Sequence, residues 1–313
     1  MSGTPDIPHN RRFHLRLGTA CNNRCVHCTV KDLWHLPDRD TRTCLDEMRR
    51  GRDAGCEEIV FMRGEPTIRK DITELVREAK LLGYRHVQLQ TNGRMLAYRK
   101  FAQKFIAEGV TFFEVSMYGD QAALHDEISQ VAGSFDQTVS GLKSLIALEA
   151  DILVSIPVIS YNFRRLSAVV ETVAALGAGR VQFNFSRPVF YHGRWVLEPI
   201  VRLSAASGFI REAFARARDL GLTAGTEAVP FCHLEPDMNP GPEATEKWSR
   251  HVVSDLHIWH DDVDESRKQS RPRADDCTGC LHERSCPTTW AGYLELFGGD
   301  ELCRIETRRF DKR

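Results

Sequence analysis

Residues 12–190 are organised as short apolar runs that alternate with amphipathic segments. Six of the apolar runs predict β-strands, at Phe13–Leu17, Glu58–Met62, His86–Gln90, Phe112–Ser116, Ile152–Ile159 and Arg180–Phe185. Between them, apolar positions recur at helical spacing, as at Ile72, Leu75 and Val76, and that segment ends at Gly83, a common residue after a helix. Alternating strands and helices are typical of parallel βαβ units, so the pattern predicts an α/β fold. Six such units are too few for a closed eight-stranded barrel.

The alternation is lost near residue 190, where we place a loose domain boundary. One more helix is predicted over residues 206–220. Residues 236–276 are rich in charge, proline and histidine, a composition typical of an insertion or linker. We therefore expect an N-terminal extension at residues 1–11, a core at 12–190 and a C-terminal region at 191–313.

Three cysteines follow the first predicted strand with CxxxCxxC spacing, at Cys21, Cys25 and Cys28. A loop of this kind can bring three thiolates to one metal centre. Structural zinc sites and iron–sulfur clusters both usually take four protein ligands, so three clustered thiols suggest an open coordination position. A zinc loop, a distant fourth ligand or buried thiols remain the alternatives at this point.

Composition narrows the class of protein. The 313 residues carry a formal net charge of −1. The protein therefore lacks the strong positive field that attracts nucleic acids, which disfavours a nucleic-acid partner. No apolar run is long enough to span a bilayer, and the N-terminus lacks the apolar middle of a secretory signal, so we expect a cytoplasmic protein without a membrane partner. Thiols stay reduced there, and six of the ten cysteines fall in two tight groups that are typical of metal sites.

The cysteine motif resembles the signature of the radical SAM superfamily. The resemblance implies that Cys21, Cys25 and Cys28 hold a [4Fe–4S] cluster, whose open iron site binds the amino and carboxylate groups of S-adenosylmethionine (SAM). It also implies a partial (β/α)6 TIM-type barrel with a small cluster-binding extension at the C-terminus. Chemistry in parallel barrels lies at the carboxyl ends of the strands, where the cysteine loop falls.

Two further motifs support the resemblance after the second and third strands. Arg63, Gly64, Glu65 and Pro66 resemble the GGEP motif of the family, whose backbone and glutamate meet the amino group of SAM. Arg63 replaces the first glycine, and a residue in the β region of backbone space could occupy that position. Thr91 and Asn92, in a Thr-Asn-Gly segment, resemble the segment that lines the SAM pocket.

The fourth and fifth predicted strands each contain a candidate serine. The family commonly places a serine that reaches SAM after the fourth strand, which selects Ser116. Ser155, on the fifth strand, is a further candidate for SAM binding. Each match is weak by itself, but the motifs follow the strands in the order that the family requires.

A second cysteine group, Cys277, Cys280 and Cys286, has CxxCx5C spacing. It resembles the C-terminal SPASM or twitch regions that carry an auxiliary iron–sulfur cluster, expected here as [4Fe–4S]. Cys232 is the preferred fourth ligand, because it lies in a loop-like segment; Cys303 is the alternative, and the fourth ligand could also be missing. CxxC pairs serve zinc equally well, so a structural zinc site is a further alternative.

The remaining cysteines and three histidines have ordinary interpretations. Cys44 and Cys56 flank the first core helix, and we expect both to be small core residues. His251, His257 and His260 lie in the polar stretch, where nothing nearby completes a ligand set, so we expect solvated side chains.

The resemblance implies an enzyme that cleaves SAM reductively to a 5′-deoxyadenosyl radical, which takes a hydrogen atom from a small-molecule or peptide natural product. The auxiliary cluster would accept an electron from the substrate radical, relay one or bind the substrate. A flavodoxin- or ferredoxin-type protein is expected as the electron donor. A radical enzyme that modifies RNA or protein, and a non-catalytic metal-binding scaffold, are the alternative functions.

Overall fold

A nine-stranded β-sheet forms the centre of the molecule in the computed structural model, which describes residues 11–235, 238, 251–255, 258–261 and 263–306. The strands are β1 (Arg11–Arg16), β2 (Cys56–Met62), β3 (His86–Thr91), β4 (Phe112–Ser116), β5 (Ile152–Val158), β6 (Arg180–Phe185), β7 (Val189–Tyr191), β8 (Arg194–Val196), β9 (Thr223–Glu227), β10 (His251–Asp255) and β11 (Ile258–His260). The helices are α1 (Thr41–Asp53), α2 (Ile72–Leu81), α3 (Arg99–Glu108), α4 (Ala122–Ser129), α5 (Ser134–Ile146), α6 (Leu166–Leu176), α7 (Leu203–Asp219), α8 (Val263–Ser270) and α9 (Ala291–Phe297).

The sheet order is β11-β10-β1-β2-β3-β4-β5-β6-β9, and β7 and β8 form a separate hairpin. Every neighbouring pair in the large sheet is parallel except β10 and β11. The six predicted strands are present as β1 to β6, and the α/β fold with a parallel central sheet is confirmed. Two further parallel strands extend the sheet, β9 beside β6 and β10 beside β1.

The interpretation of residues 236–276 as an insertion or linker is wrong for its described part. β10 joins the sheet next to β1, and His251 on β10 is buried, with a hydrogen bond between its Nδ1 and Nε2 of His14 (2.8 Å). The expectation of a solvated His251 is therefore wrong as well. The strand was missed because its polar side chains hide the apolar alternation that identifies a strand. His260 lies on β11 and is half-buried, and His257 is outside the described residues.

The strands divide their side chains between a helix-covered face and a polar face. On β1, Phe13 and Leu15 are fully buried in the main core with Met48 of α1, whereas Arg12, His14 and Arg16 alternate with them on the other face. The core also contains Cys44 and Cys56, both without exposed surface, which confirms their expected role. We call the space over the other face, which carries the polar side chains, the lumen.

In the described parts of the chain, no helix is both long enough and apolar enough to cross a membrane.

Candidate active site

The loop after β1 carries Cys21, Cys25 and Cys28 and is fixed by backbone hydrogen bonds from two sides. The N–H of Glu65 donates to the carbonyl of Ala20 (2.7 Å), which joins the loop to the turn after β2. The N–H of Arg24 donates to the carbonyl of Ser129 (2.9 Å), at the end of α4. These bonds hold all three thiols at the carboxyl edge of the sheet.

The three thiols are partly or fully removed from water. Cys25 is buried, and Cys21 and Cys28 are half-buried. Burial raises the pKa of Cys21 to about 11 and that of Cys25 to about 12, and it raises the pKa of Cys28 as well. The free thiols are therefore protonated at neutral pH, and metal binding would release these protons because thiolates are the ligands.

Two buried nitrogen atoms in the loop lack partners among the described residues: Nδ2 of Asn23 and Nδ1 of His27. The amide Nδ2 is a donor, and Nδ1 of a neutral imidazole donates in one tautomer. The sulfur atoms of an iron–sulfur cluster are hydrogen-bond acceptors, and buried donors normally have partners. The thiols and these two groups therefore fit a sulfide-containing cluster.

The turn after β2 has an unusual backbone. Arg63 has φ of 67° and Gly64 has φ of 59°, so the expectation of a β-region residue at position 63 is wrong. The charge of Arg63 has a partner there, because its Nη1 lies 3.2 Å from Oδ1 of Asp255 on β10. A Cβ at position 64 would lie 2.5 Å from the carbonyl oxygen of Ala20, so the turn needs glycine for both its φ and its close approach to the cysteine loop.

Glu65 is buried, and its carboxylate is occupied by protein donors. It accepts from the N–H and hydroxyl of Thr67, from the hydroxyl of Thr91 (2.7 Å) and from the N–H of Asn92 (2.7 Å). Burial raises the pKa of Glu65, and these bonds oppose the rise. The glutamate therefore joins the turns after β2 and β3. Pro66 begins the short 3-10 helix that follows, at Pro66–Ile68, and is itself buried.

The Thr-Asn-Gly segment after β3 reaches the cysteine loop directly. The side-chain amide of Asn92 donates to Oδ1 of Asn22 (2.7 Å). Arg94, two residues on, donates from Nη1 to the carbonyl of Asn22 and to Oδ1 of Asn23 (2.7 Å). Sequence reasoning missed Arg94, because an arginine after a turn has no distinctive spacing.

Ser116 ends β4, and its partner in register is Ser155, in the middle of β5. Ser116 is half-buried, and Ser155 is buried, with its hydroxyl accepting from Nδ2 of Asn184 (2.7 Å). Ser116 therefore lies at the same edge of the sheet as the cysteine loop, across β2 and β3 from it, and Ser155 lies level with Ser116 on the neighbouring strand.

Glu114 lies two residues before Ser116 on β4, on the lumen face, where it accepts from Nε2 of Gln88 (2.8 Å) and of Gln90 (2.9 Å). Burial, and then the like charge of Glu227, raise the pKa of Glu114 to about 7. A carboxyl group that titrates near neutral pH is suited to proton transfer. Sequence reasoning missed it, although polar residues at every second position of β3 signalled a polar face.

All five cysteines of the C-terminal region line one cavity. They are Cys232, Cys277, Cys280, Cys286 and Cys303. Backbone donors point at two of the sulfurs: the N–H of Phe231 at Cys286 (3.5 Å) and the N–H of Ile305 at Cys280 (3.4 Å). Such donors stabilise thiolate ligands, so the cavity fits a group held by several thiolates.

Cys232 and Cys303 are neighbours in this cavity, and burial raises the pKa of Cys232 to about 12. Cys303 is the more exposed of the two. The cavity thus contains both candidates for a fourth ligand. Within the described residues, no three His, Cys, Asp or Glu side chains are arranged closely enough to hold a single metal ion.

Comparisons with known proteins match this arrangement. The family model described as the radical SAM superfamily matches residues 15–172. An AdoMet-dependent heme synthase from Methanosarcina barkeri is 30% identical over 172 residues, which are 54% of this chain and 48% of that protein. A probable GTP 3′,8-cyclase from Saccharolobus solfataricus is 31% identical over 140 residues, 43% of each chain. The matches thus span about half the length of these curated relatives or less.

Solved structures share the fold. Streptococcus suis SuiB bound to S-adenosylmethionine superposes with a TM-score of 0.64 at 12% identity, over 97% of this chain and 78% of that one. The enzyme anSMEcpe with bound AdoMet and the Cp18Cys peptide superposes with a TM-score of 0.52 at 16% identity, over 65% of this chain and 59% of that one. With the family model covering the cysteine loop and the strands around it, the chain belongs to the radical SAM superfamily.

Proposed function

We propose that this protein cleaves SAM reductively and uses the resulting radical to take a hydrogen atom from a peptide or small-molecule natural product. One observation carries the proposal. The cysteine loop, the turn at Gly64 and Glu65, and Asn92 are joined by direct hydrogen bonds at one edge of the sheet. Three weak sequence motifs are thus adjacent in the structure, which supports assigning them to one site.

Each group of residues in the first metal site has a proposed role. Cys21, Cys25 and Cys28 would hold a [4Fe–4S] cluster, and with SAM bound that cluster supplies the electron that yields methionine and a 5′-deoxyadenosyl radical. The carbonyls of the turn at Gly64 would accept hydrogen bonds from the amino group of SAM. Ser116 and Ser155 would contact the rest of the cofactor, and Glu65 would keep the turns in place.

The lumen is the proposed substrate site, because it opens at the same edge of the sheet as the cysteine loop. Structural neighbours support a peptide as one substrate class, since SuiB has been solved with its precursor peptide SuiA. A small molecule is the other class. A cytoplasmic location and a flavodoxin- or ferredoxin-type electron donor belong to the same proposal.

The five-cysteine cavity is the proposed auxiliary site, with [4Fe–4S] as its expected cluster. Cys277, Cys280 and Cys286 would supply three ligands, and Cys232 or Cys303 the fourth. Zinc is the competing occupant, because four thiolates also suit it.

Iron and sulfide analysis of protein reconstituted without oxygen tests both sites. We expect about eight irons per chain in the parent, because each cluster contains four. A C21A/C25A/C28A variant and a C277A/C280A/C286A variant should each retain about four. Zinc in the second site would reject the auxiliary cluster alone, whereas a parent protein without iron would reject the proposed function.

A further inference from the structure

Three arginines converge at the mouth of the lumen, beside the cysteine loop. Arg16 ends β1, Arg63 follows β2, and Arg187 follows β6. Although β1 and β6 are separated by four strands in the sheet order, the charge of Arg16 reaches Arg187 and contributes to lowering its pKa. Desolvation by the surrounding protein is the larger cause of that shift, although the side chain of Arg187 is still exposed at the surface. The guanidinium groups are therefore near enough to influence each other, although their strands are far apart in the sheet order.

The carboxylates near these three arginines are too few to pair with all three positive charges. Asp255 pairs with Arg16 and lies 3.2 Å from Nη1 of Arg63. Arg187 has an exposed side chain and makes no ion pair or hydrogen bond with any residue that the structure describes. The charges of Asp255 and of exposed Asp32 are near enough to oppose its pKa shift.

Hydrogen-bond donors are also in excess. Nε of Arg16 is buried without a hydrogen-bond partner among the described residues. Burial, and then the charge of Arg16, lower the pKa of Arg63 to about 10. Three positive charges face two negative ones, with at least one buried donor unused, and buried donors normally have partners.

The cluster of arginines lies next to the proposed site of chemistry. Burial raises the pKa of Cys28, and the charge of Arg63 is among the groups that oppose this rise, which places the guanidinium near that thiol. The strand β7 that follows Arg187 lies against residues 31–33, just beyond the cysteine loop. A ligand held by these arginines would therefore lie at the mouth of the lumen, close to the first metal site.

We propose that Arg16, Arg63 and Arg187 bind an anionic group of the substrate, a carboxylate or a phosphate, at the mouth of the lumen. Guanidinium groups suit both anions, because their planar N–H pairs match two oxygens at once. The carboxylate of SAM has a ligand of its own in the open iron site that the family implies. This inference rests on the proposed function, and it narrows the substrates to molecules that carry a negative group near the reacting carbon.

Anion binding to the reconstituted protein tests the inference without a known substrate. Inorganic pyrophosphate and glutarate serve as phosphate and carboxylate probes, titrated calorimetrically at constant ionic strength with SAM present. We expect the parent to bind at least one probe and Arg187→Gln to bind it about tenfold more weakly, because a hydrogen bond to a charged group contributes about that much. Arg187→Lys should recover part of the affinity, and Arg42→Gln, at an exposed position on α1, should match the parent.

Three results would overturn the inference: a parent that binds neither probe, equal binding by the Arg187→Gln and Arg42→Gln variants, or a parallel loss of SAM affinity in Arg187→Gln. The last would assign the arginines to the carboxylate of SAM. Formation of 5′-deoxyadenosine is measured separately, so failure of the anion site and failure of the proposed function are distinguishable.

Discussion

Arg63 combines a backbone cost with a charge interaction. A left-handed conformation costs a non-glycine residue on the order of 1–3 kcal/mol, and the family motif has glycine at this position. Arg63 adopts that conformation with φ of 67°, and its guanidinium lies beside Asp255. An arginine at this strained position is therefore explained by the interactions of its side chain rather than by its backbone.

Two substitutions separate the backbone effect from the charge effect. Arg63→Gly and Arg63→Ala both lose the interaction with Asp255, but only alanine keeps a Cβ in the left-handed conformation. We expect Arg63→Gly to have the larger free energy of unfolding by about 1 kcal/mol, measured by urea denaturation. Equal stability of the two variants would show that position 63 carries no backbone strain.

Glu114 predicts a specific pH dependence of stability. Its pKa in the folded protein is about 7, above the ordinary value of 4.5, because of burial and then Glu227. Between these pH values the folded chain keeps a proton that the unfolded chain releases, so this residue makes the free energy of unfolding fall as pH rises.

The matched variant is Glu114→Gln, which cannot titrate. We expect its stability, relative to the parent, to increase steadily from about pH 4.5 to about pH 7 and to stay constant below that window. Chemical denaturation at a series of pH values measures this difference, and groups shared by both proteins cancel. A difference that is flat across the window would show that Glu114 ionises normally.

At the scale of elements, the turns after β2 and β3 support the cysteine loop. Asn92 contributes a side-chain hydrogen bond to Asn22, while its backbone N–H binds Glu65. Replacing the side chain therefore loosens the loop without removing the connection between the turns.

We expect Asn92→Ala to lower the free energy of unfolding by about 1 kcal/mol and to release iron to a chelator faster than the parent. Asn184→Ala is the control, because it removes an amide that binds Ser155 and has no hydrogen bond to the cysteine loop. Iron release followed by absorbance compares the two. Equal release rates in both variants would contradict a supporting role for Asn92.

The C-terminal cavity contains one thiol more than a [4Fe–4S] cluster needs. Single variants Cys232→Ser and Cys303→Ser should therefore differ: one loses about four irons per chain and the other retains all of them. The variant that loses iron identifies the fourth ligand. Full iron retention in both would contradict the expected four-thiolate site.

The sequence predicted those elements whose signal is local. Strands β1 to β6 contain apolar runs, and α6 ends at Gly177 in the left-handed conformation that its glycine suggested. β10 was missed because it is polar on one face and joins β1 from far along the chain. The conformation of Arg63 was predicted wrongly, because the turn that contains it packs against Ala20, which is far away in the sequence.

At the scale of the whole molecule, one curved sheet organises two thiol sites and a polar lumen. The first site is predictable because its ligands are eight residues or fewer apart in the sequence. The lumen cannot be predicted in this way, because its charged residues come from strands that are far apart in the sequence. Examples are the pair Glu114 and Glu227 and the pair Arg16 and Asp255. Tertiary structure alone brings these groups together.

The formation of 5′-deoxyadenosine tests the central claim most directly. The parent and the C21A/C25A/C28A variant would be reconstituted without oxygen, reduced with dithionite and given SAM. We expect the parent to form 5′-deoxyadenosine and methionine, and the variant to form neither above background, because the open iron site is lost with its ligands. A reconstituted parent that contains its iron but does not cleave SAM, or a variant that cleaves it equally well, would contradict the account.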